Sequence, residues 1–151
     1  MTLDWATVPF MHRFAVAAPP LALLLACDAG DEKGGAKSGD ADLKTAEIVA
    51  LFSGKTVKGH HERKHYDFES YYEPTGELRS HQGKDRKLRE ATWAAKNDEI
   101  CITWKDDPTE LCRKMVKAAD GTYRKEKVKK NGDRLVVVTF ESFAAGNPGK
   151  L

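Results

Sequence analysis

Thr122–Phe143 reads T-Y-R-K-E-K-V-K-K-N-G-D-R-L-V-V-V-T-F-E-S-F. Two strand-like runs flank Asn131-Gly132, the strongest hairpin signal in the chain. The spacing predicts strands over Thr122–Lys130 and Arg134–Phe143. Between them it predicts a type I′ turn, whose two central residues both need positive φ. Leu135-Val136-Val137-Val138 is apolar at both parities, which suggests a strand buried on both faces. The first run differs, because it carries polar side chains at both parities: Arg124 and Glu126 on one, Tyr123, Lys125 and Lys127 on the other.

The same grammar repeats toward the N-terminus. Ala118-Ala119-Asp120-Gly121 is a turn, and Leu111–Lys117 is a strand before it. Asp106-Asp107-Pro108 turns the chain out of Ile100–Lys105. Lys96-Asn97-Asp98-Glu99 turns it out of Leu88–Ala95, where Ala91, Trp93 and Ala95 alternate. Gly83–Lys87 is a charged loop behind Glu77–Gln82. Glu73-Pro74-Thr75-Gly76 is a turn with proline at its second position. His65–Tyr72 places Tyr66, Phe68, Ser70 and Tyr72 on one face, and Lys55–His60 opens the series. One short helix precedes it. Thr45 is the expected N-cap, Glu47 sits in the first turn where the dipole favours an anion, and Gly54 is the expected stop. Ile48, Leu51 and Phe52 fall on one face.

Eight strands joined by short turns predict an all-β domain with one short N-terminal helix. Short connections make sequence neighbours spatial neighbours, so the expected topology is an antiparallel up-and-down meander. Closure into a barrel removes exposed edges. The favoured architecture is a closed or nearly closed barrel with the helix plugging or covering one end. An open curved sheet with the helix across it is the alternative.

The segment before this domain is of another kind. Met11-His12-Arg13 is a short basic region, Phe14–Ala26 is apolar and rich in Ala and Leu, and small Ala26 precedes Cys27. That is the layout of a secretory signal. A bilayer-spanning helix needs about 20 apolar residues, and this run is shorter and holds Pro19-Pro20. Met1–Phe10 fits poorly because of Asp4, so the expected start is Met11. Leu24-Leu25-Ala26-Cys27 resembles a bacterial lipoprotein cleavage and acylation site. The resemblance implies a signal peptide over residues 1–26 and a diacylglyceryl thioether on Cys27. It also implies a membrane anchored through that cysteine. An ordinary secretory signal with Cys27 coincidental is the rival reading. Asp28 resembles an inner-membrane retention signal, so the expected address is the periplasmic face of a bacterial membrane, the inner one mildly favoured. Residues 27–41 are expected to be anchor and flexible tether. Asp28–Asp40 has no large apolar side chain and cannot offset its ordering entropy; random-coil scaling gives it a reach of about 20 Å. Residues 42–151 form the β domain.

With Cys27 lipidated, Cys101 and Cys112 remain as an even pair in an oxidising compartment. Taking Lys105–Pro108 as a four-residue loop, Trp104 faces Thr109 and Cys101 falls opposite Cys112. Alternation of pair types then puts them at a non-hydrogen-bonded site, where side chains approach most closely. A disulfide is expected, with a redox-active pair and two metal thiolates as rivals. Gly54-Lys55-Thr56-Val57, Tyr71-Tyr72-Glu73-Pro74-Thr75-Gly76, Thr92-Trp93, Cys101-Ile102-Thr103-Trp104 and Cys112 occur in that order. Together they resemble a group of small exported bacterial domains of unknown function, with Thr75 where that group tends to have Asp. The resemblance spans roughly Ile48 to Tyr123. It implies export and a disulfide-braced β domain, and it implies no reaction.

No catalytic motif stands out. Acid and base nearly balance at a net +2, with the two signs closely interleaved; that reads as a solvated surface and argues against a nucleic-acid partner. Tyr66, Phe68, Tyr72, Trp93 and Trp104 either line a ligand pocket in a barrel mouth or are simply core. His60 and His65 are weak metal candidates. With His61–Lys64 as a turn they face each other across a hairpin, but no third ligand can be assigned, and exposed polar histidines are the plainer reading. Lys125, Lys127, Lys129 and Lys130 form a basic ribbon, either a surface for anionic envelope material or a solvated hairpin with charged edge protection. Glu62, Asp67, Glu69 and Glu73 offer carboxylates in no informative pattern. No cofactor is expected. The expected function is a non-enzymatic, membrane-anchored binding module for a small ligand or envelope component. A structural domain docking on an envelope protein is the alternative, and a hydrolase the second alternative.

Overall fold

The computed structural model describes residues 39–151. The expected signal segment, Cys27, Asp28 and the expected tether up to Ser38 lie outside the described residues. The elements are β1 (Ala41–Asp42), α1 (Thr45–Phe52), β2 (Lys55–His61), β3 (Tyr66–Tyr72), β4 (Glu77–Gln82) and β5 (Lys87–Lys96). They continue with β6 (Glu99–Trp104), β7 (Asp107–Lys117), β8 (Tyr123–Val128) and β9 (Arg134–Ala145).

From β2 to β9 every strand pairs antiparallel with the next, and β9 pairs with β2. The meander therefore closes into an eight-stranded barrel, and the sheet keeps no long free edge. Two-residue β1 is an extra strand. It takes the flank of β7 at Val116 and Lys117, beyond the last rung that β6 shares with β7 at Glu99–Lys114. Asp40 and Ala41, read from sequence as tether, are tied to the barrel. The Asp40 carboxylate accepts from Ala119 N at 3.1 Å and from Arg124.

Closure makes one parity of each strand interior. Val57, Gly59 and His61 of β2 share that side with Tyr66, Phe68, Ser70 and Tyr72 of β3, because opposed residues of an antiparallel pair lie on one face. Gly59 is needed there. A Cβ on it would stand 2.6 Å from Thr139 O and 2.9 Å from the Phe68 ring. Register shifts in β9, opposite Lys58/Gly59 and opposite Lys125/Glu126, supply the local bends that closure requires.

Helix α1 closes one end. Its N-cap is Lys44, one residue before the expected Thr45. The orphan N–H groups are satisfied by carboxylates: Lys44 N donates to Glu47 Oε2 at 2.7 Å and Thr45 N to Asp98 Oδ1 at 2.9 Å. Ile48 and Phe52 are fully buried, and the Phe52 ring lies 4.7 Å from Tyr72, 5.4 Å from Phe140 and 5.6 Å from Phe143. Gly54 stops the helix at φ 70°.

Three sequence expectations about turns need correction. Asn131-Gly132 is not a type I′ turn. Gly132 alone has positive φ, Gly132 N donates to Lys129 O, and Lys129 N donates to Asp133 O. That is a three-residue loop, a type I turn ending in a left-handed glycine. The same bonding recurs at Glu73–Glu77 and Ala118–Thr122. The consecutive positive φ values fall instead on Asn97 (55°) and Asp98 (58°), between Lys96 and Glu99. The β6–β7 connection is Lys105-Asp106 rather than Lys105–Pro108. Trp104 faces Asp107, and a register shift between Ile102 and Trp104 absorbs the extra residues of β7. Finally, the β2–β3 hairpin is Glu62–His65, so His60 opposes Asp67 and not His65.

Candidate binding site at the open end

The end of the barrel opposite α1 is bounded by the β2–β3, β4–β5, β6–β7 and β8–β9 connections, and among the described residues no helix covers it. A cavity of about 350 Å³ opens there. Its apolar walls are Ile102, Trp104, Leu111 and Val137. A recess of about 50 Å³ continues from it toward Phe68, Tyr72 and Leu78, sharing His61, Tyr66, Ile102, Trp104 and Lys125 with the larger space.

Four of the five aromatic residues expected to line a pocket do so. Tyr66 and Trp104 border the main cavity, and Phe68 and Tyr72 border the recess. Trp93 does not. It lies in the closed half, its ring 5.5 Å from Tyr72, and Nε1 donates to Glu73 O at 2.9 Å. Its strand is shared with the cavity, but the α1 end takes its side chain.

The polar residues of the recess are paired among themselves. Ser70 Oγ donates to Ser80 Oγ at 2.7 Å and Gln82 Nε2 to Ser80 at 3.3 Å. Tyr66 Oη and Arg89 Nη1 both donate to Gln82 Oε1, at 3.2 and 3.4 Å. Arg89 also lies 4.2 Å above the Trp104 ring and pairs with Asp106 at the rim. Burial raises the Tyr66 phenol.

Reading from sequence missed the charge of this site. Arg63, Lys64, Arg89, Arg113, Lys125 and Lys127 all line the cavity, and among the described residues no carboxylate does. Lys125 and Lys127, half of the expected basic ribbon, border the cavity: Lys125 is half-buried and Lys127 stays exposed at its rim. Lys125 pairs across the sheet with Met115 and Val138, both buried. Burial first, and the Arg113 charge second, push its ammonium down to about 8 from the usual 10.5. His61 also pairs with Val138, from the β2 side. Burial, then the Lys64 and Lys125 charges, lower it, and its buried Nδ1 has no hydrogen-bond partner among the described residues. A signal was present. Arg89 shares parity with Ala91, Trp93 and Ala95, and Arg113 shares parity with Met115, so both extend interior faces toward one rim.

The remaining expected sites lie elsewhere. Cys101 and Cys112 are opposite each other and joined in a disulfide, with Cα atoms 4.0 Å apart. Glu110 is near them, but both sulfurs are held by their mutual bond. His60 Nδ1 meets Asp67 Oδ1 at 2.6 Å on the exposed outer face, a bond that raises the imidazole. The His65 ring is 6.5 Å from it, and no third ligand joins them among the described residues. Glu69 accepts from Arg86 and lies 3.6 Å from Lys58 on that face.

Comparison of the chain with protein-family models, curated proteins and solved structures finds no match.

Proposed function

We propose that this protein is a lipid-anchored envelope module that binds a small ligand in the open end of its barrel. The observation that carries the proposal is the cavity of about 350 Å³, within the size range of small-molecule sites and walled by aromatic and aliphatic side chains. A barrel whose two ends were both packed would offer no such space. Among the described residues the one short ring-to-carboxylate pair, His60–Asp67, sits on the exposed outer face away from the cavity. The exposed large apolar residues Val49, Leu88, Leu111 and Val128 lie on different strands and the helix, which favours a ligand over a broad docking face.

Gly39 meets Ala119 at the α1 end, so the described chain enters the barrel at the closed end. Among the described residues no helix is long and apolar enough to cross a membrane.

Mass spectrometry of the protein purified without reduction from its native membrane tests the proposal. The expected result is an acylated Cys27, a Cys101–Cys112 link and a retained small molecule that disappears in Val137→Trp, which fills the cavity. A ligand retained equally by that variant, or none in either, would count against binding in the barrel.

A further inference from the structure

We infer that the ligand is an organic anion with an apolar body, its anionic group held among Lys125, Arg113 and His61 and its body against Trp104, Ile102 and Val137. The inference rests on the cavity being the binding site and adds the chemical class of what enters it.

Charge is the first reason. Six cationic side chains from the β2–β3 connection, β5, β7 and β8 border one concave space, and among the described residues no acid joins its lining. Elsewhere many cations of the described chain meet carboxylates, among them Lys44 with Asp98, Lys96 with Glu110, Lys105 with Glu90 and Arg134 with Asp42. Within the cavity only Arg89 does, through Asp106 at the rim. Walls of low dielectric concentrate the field of such a cluster into the opening.

The second reason is Lys125. Removing an ammonium from water without a partner is costly, and a neighbouring guanidinium makes it costlier. The serines, Tyr66 and Gln82 of the recess satisfy one another, and none of them turns to Lys125. The only charge that bears on its titration is the repulsive one of Arg113. Every other charged group facing the space from β2, β3, β5 and β7 is a cation or the neutral-leaning His61 and Tyr66. His61 adds a ring nitrogen that is buried and unpartnered. A carboxylate, sulfonate or phosphate oxygen placed there meets the Lys125 ammonium and the unpartnered His61 nitrogen with charge-assisted hydrogen bonds, beside an Arg113 guanidinium that donates through Nη1 to Cys112 O.

The apolar walls supply the rest. Ile102, Trp104, Leu111 and Val137 give a bare inorganic ion nothing to bury against, so the charge must come attached to hydrocarbon or an aromatic ring.

Two dyes sharing one aromatic body test this: 8-anilinonaphthalene-1-sulfonate and its neutral counterpart N-phenyl-1-naphthylamine. Both are titrated by fluorescence into the full chain carrying Cys27→Ser, so that no acyl chain competes. The expected result is one saturable site for the sulfonate, weakened at least tenfold in Lys125→Met and by raised salt. The neutral dye should stay within threefold between the two proteins. Arg113→Gln serves the same purpose if the Lys125 variant fails to fold. Equal affinity for both dyes, with both indifferent to Lys125 and Arg113, would overturn the anion while leaving a cavity that binds apolar molecules. Binding of neither dye, or binding unchanged in Val137→Trp, would remove the cavity site and the inference with it.

Discussion

The two ends of this barrel are built from the same eight strands and solve burial in opposite ways. At the closed end Ile48 and Phe52 of α1 meet Tyr72, Phe140 and Phe143, with aromatic rings 4.7–5.6 Å apart. Its polar atoms are local: backbone capped by Glu47 and Asp98, and an indole donating to Glu73. At the open end Trp104, Ile102 and Val137 leave a void, and the described residues set cations among them without acids. Close packing of apolar side chains stabilises the first end. The second holds a half-buried ammonium beside a guanidinium, and burial and repulsion together disfavour its charge. The contrast separates the half of the molecule that supplies stability from the half that, on the proposed binding function, gives some of it up for recognition.

Truncating the plug should have the largest effect. Phe52→Ala is expected to cost about 3–5 kcal/mol in urea unfolding, as for other buried aromatic residues, because Phe52 is fully buried. Trp104→Ala at the open end should cost far less while abolishing dye binding. Comparable losses of stability in the two variants would erase the distinction between the ends.

Removing the brace comes next. Cys101 and Cys112 close a short loop of sequence separation 11. Replacing both with Ala should lower stability by roughly 2–3 kcal/mol in the chain-entropy model, and leave the dye affinity of the refolded protein unchanged, since neither sulfur borders the cavity. Dye binding that tracks the disulfide would instead couple the brace to the site.

Lys125→Met should act in the opposite direction. Its folded-state titration lies near 8, below the ordinary 10.5. Between those values the unfolded chain holds more protons than the folded one, so this residue makes stability rise with pH across the window. At pH 7 the folded chain carries the full cost of the buried charge. The variant should therefore be more stable by about 2 kcal/mol at pH 7 without ligand. The gain should fade toward pH 10.5, as followed by unfolding midpoints across the range. A variant less stable than the parent at pH 7 would mean that Lys125 already has a stabilising partner.

The smallest expected effect compares the turns. Gly132→Ala at the open end and Gly121→Ala at the closed end both place a side chain at positive φ, with nothing within 4 Å of the new Cβ. Each should cost about 1 kcal/mol, the strain of the left-handed conformation alone. Unequal costs, read from the two unfolding midpoints, would show that one hairpin is under tertiary strain.

Much of this architecture was legible because it rests on local pattern. Tyr66, Phe68, Ser70 and Tyr72 alternate as they must in a strand with one interior face, and they occupy that face. The pairing of Cys101 with Cys112 also holds, although by a route other than the expected loop: the two-residue turn and the register shift beyond Ile102 leave the same two residues opposed. The turn at Asn131-Gly132 was misread because dipeptide composition does not separate a type I′ turn from a type I turn closed by a left-handed glycine. Loop length decides between them. His60 and His65 were paired wrongly for a related reason, since one residue of hairpin register exchanges every partner.

Residue order alone determined that this chain makes a meander of eight strands, a helix short enough to serve as a lid, and an adjacent cysteine pair, because alternation, turn residues and short connections are properties of neighbours. Tertiary structure alone decided which side of β8 is the inside. Tyr123–Val128 is polar at both parities, so its own pattern is silent. Pairing with β7 and β9 turns Lys125 toward Met115 and Val138, and Glu126 outward to Arg124 and Arg134. A strand's two faces become different only when the sheet closes around one of them.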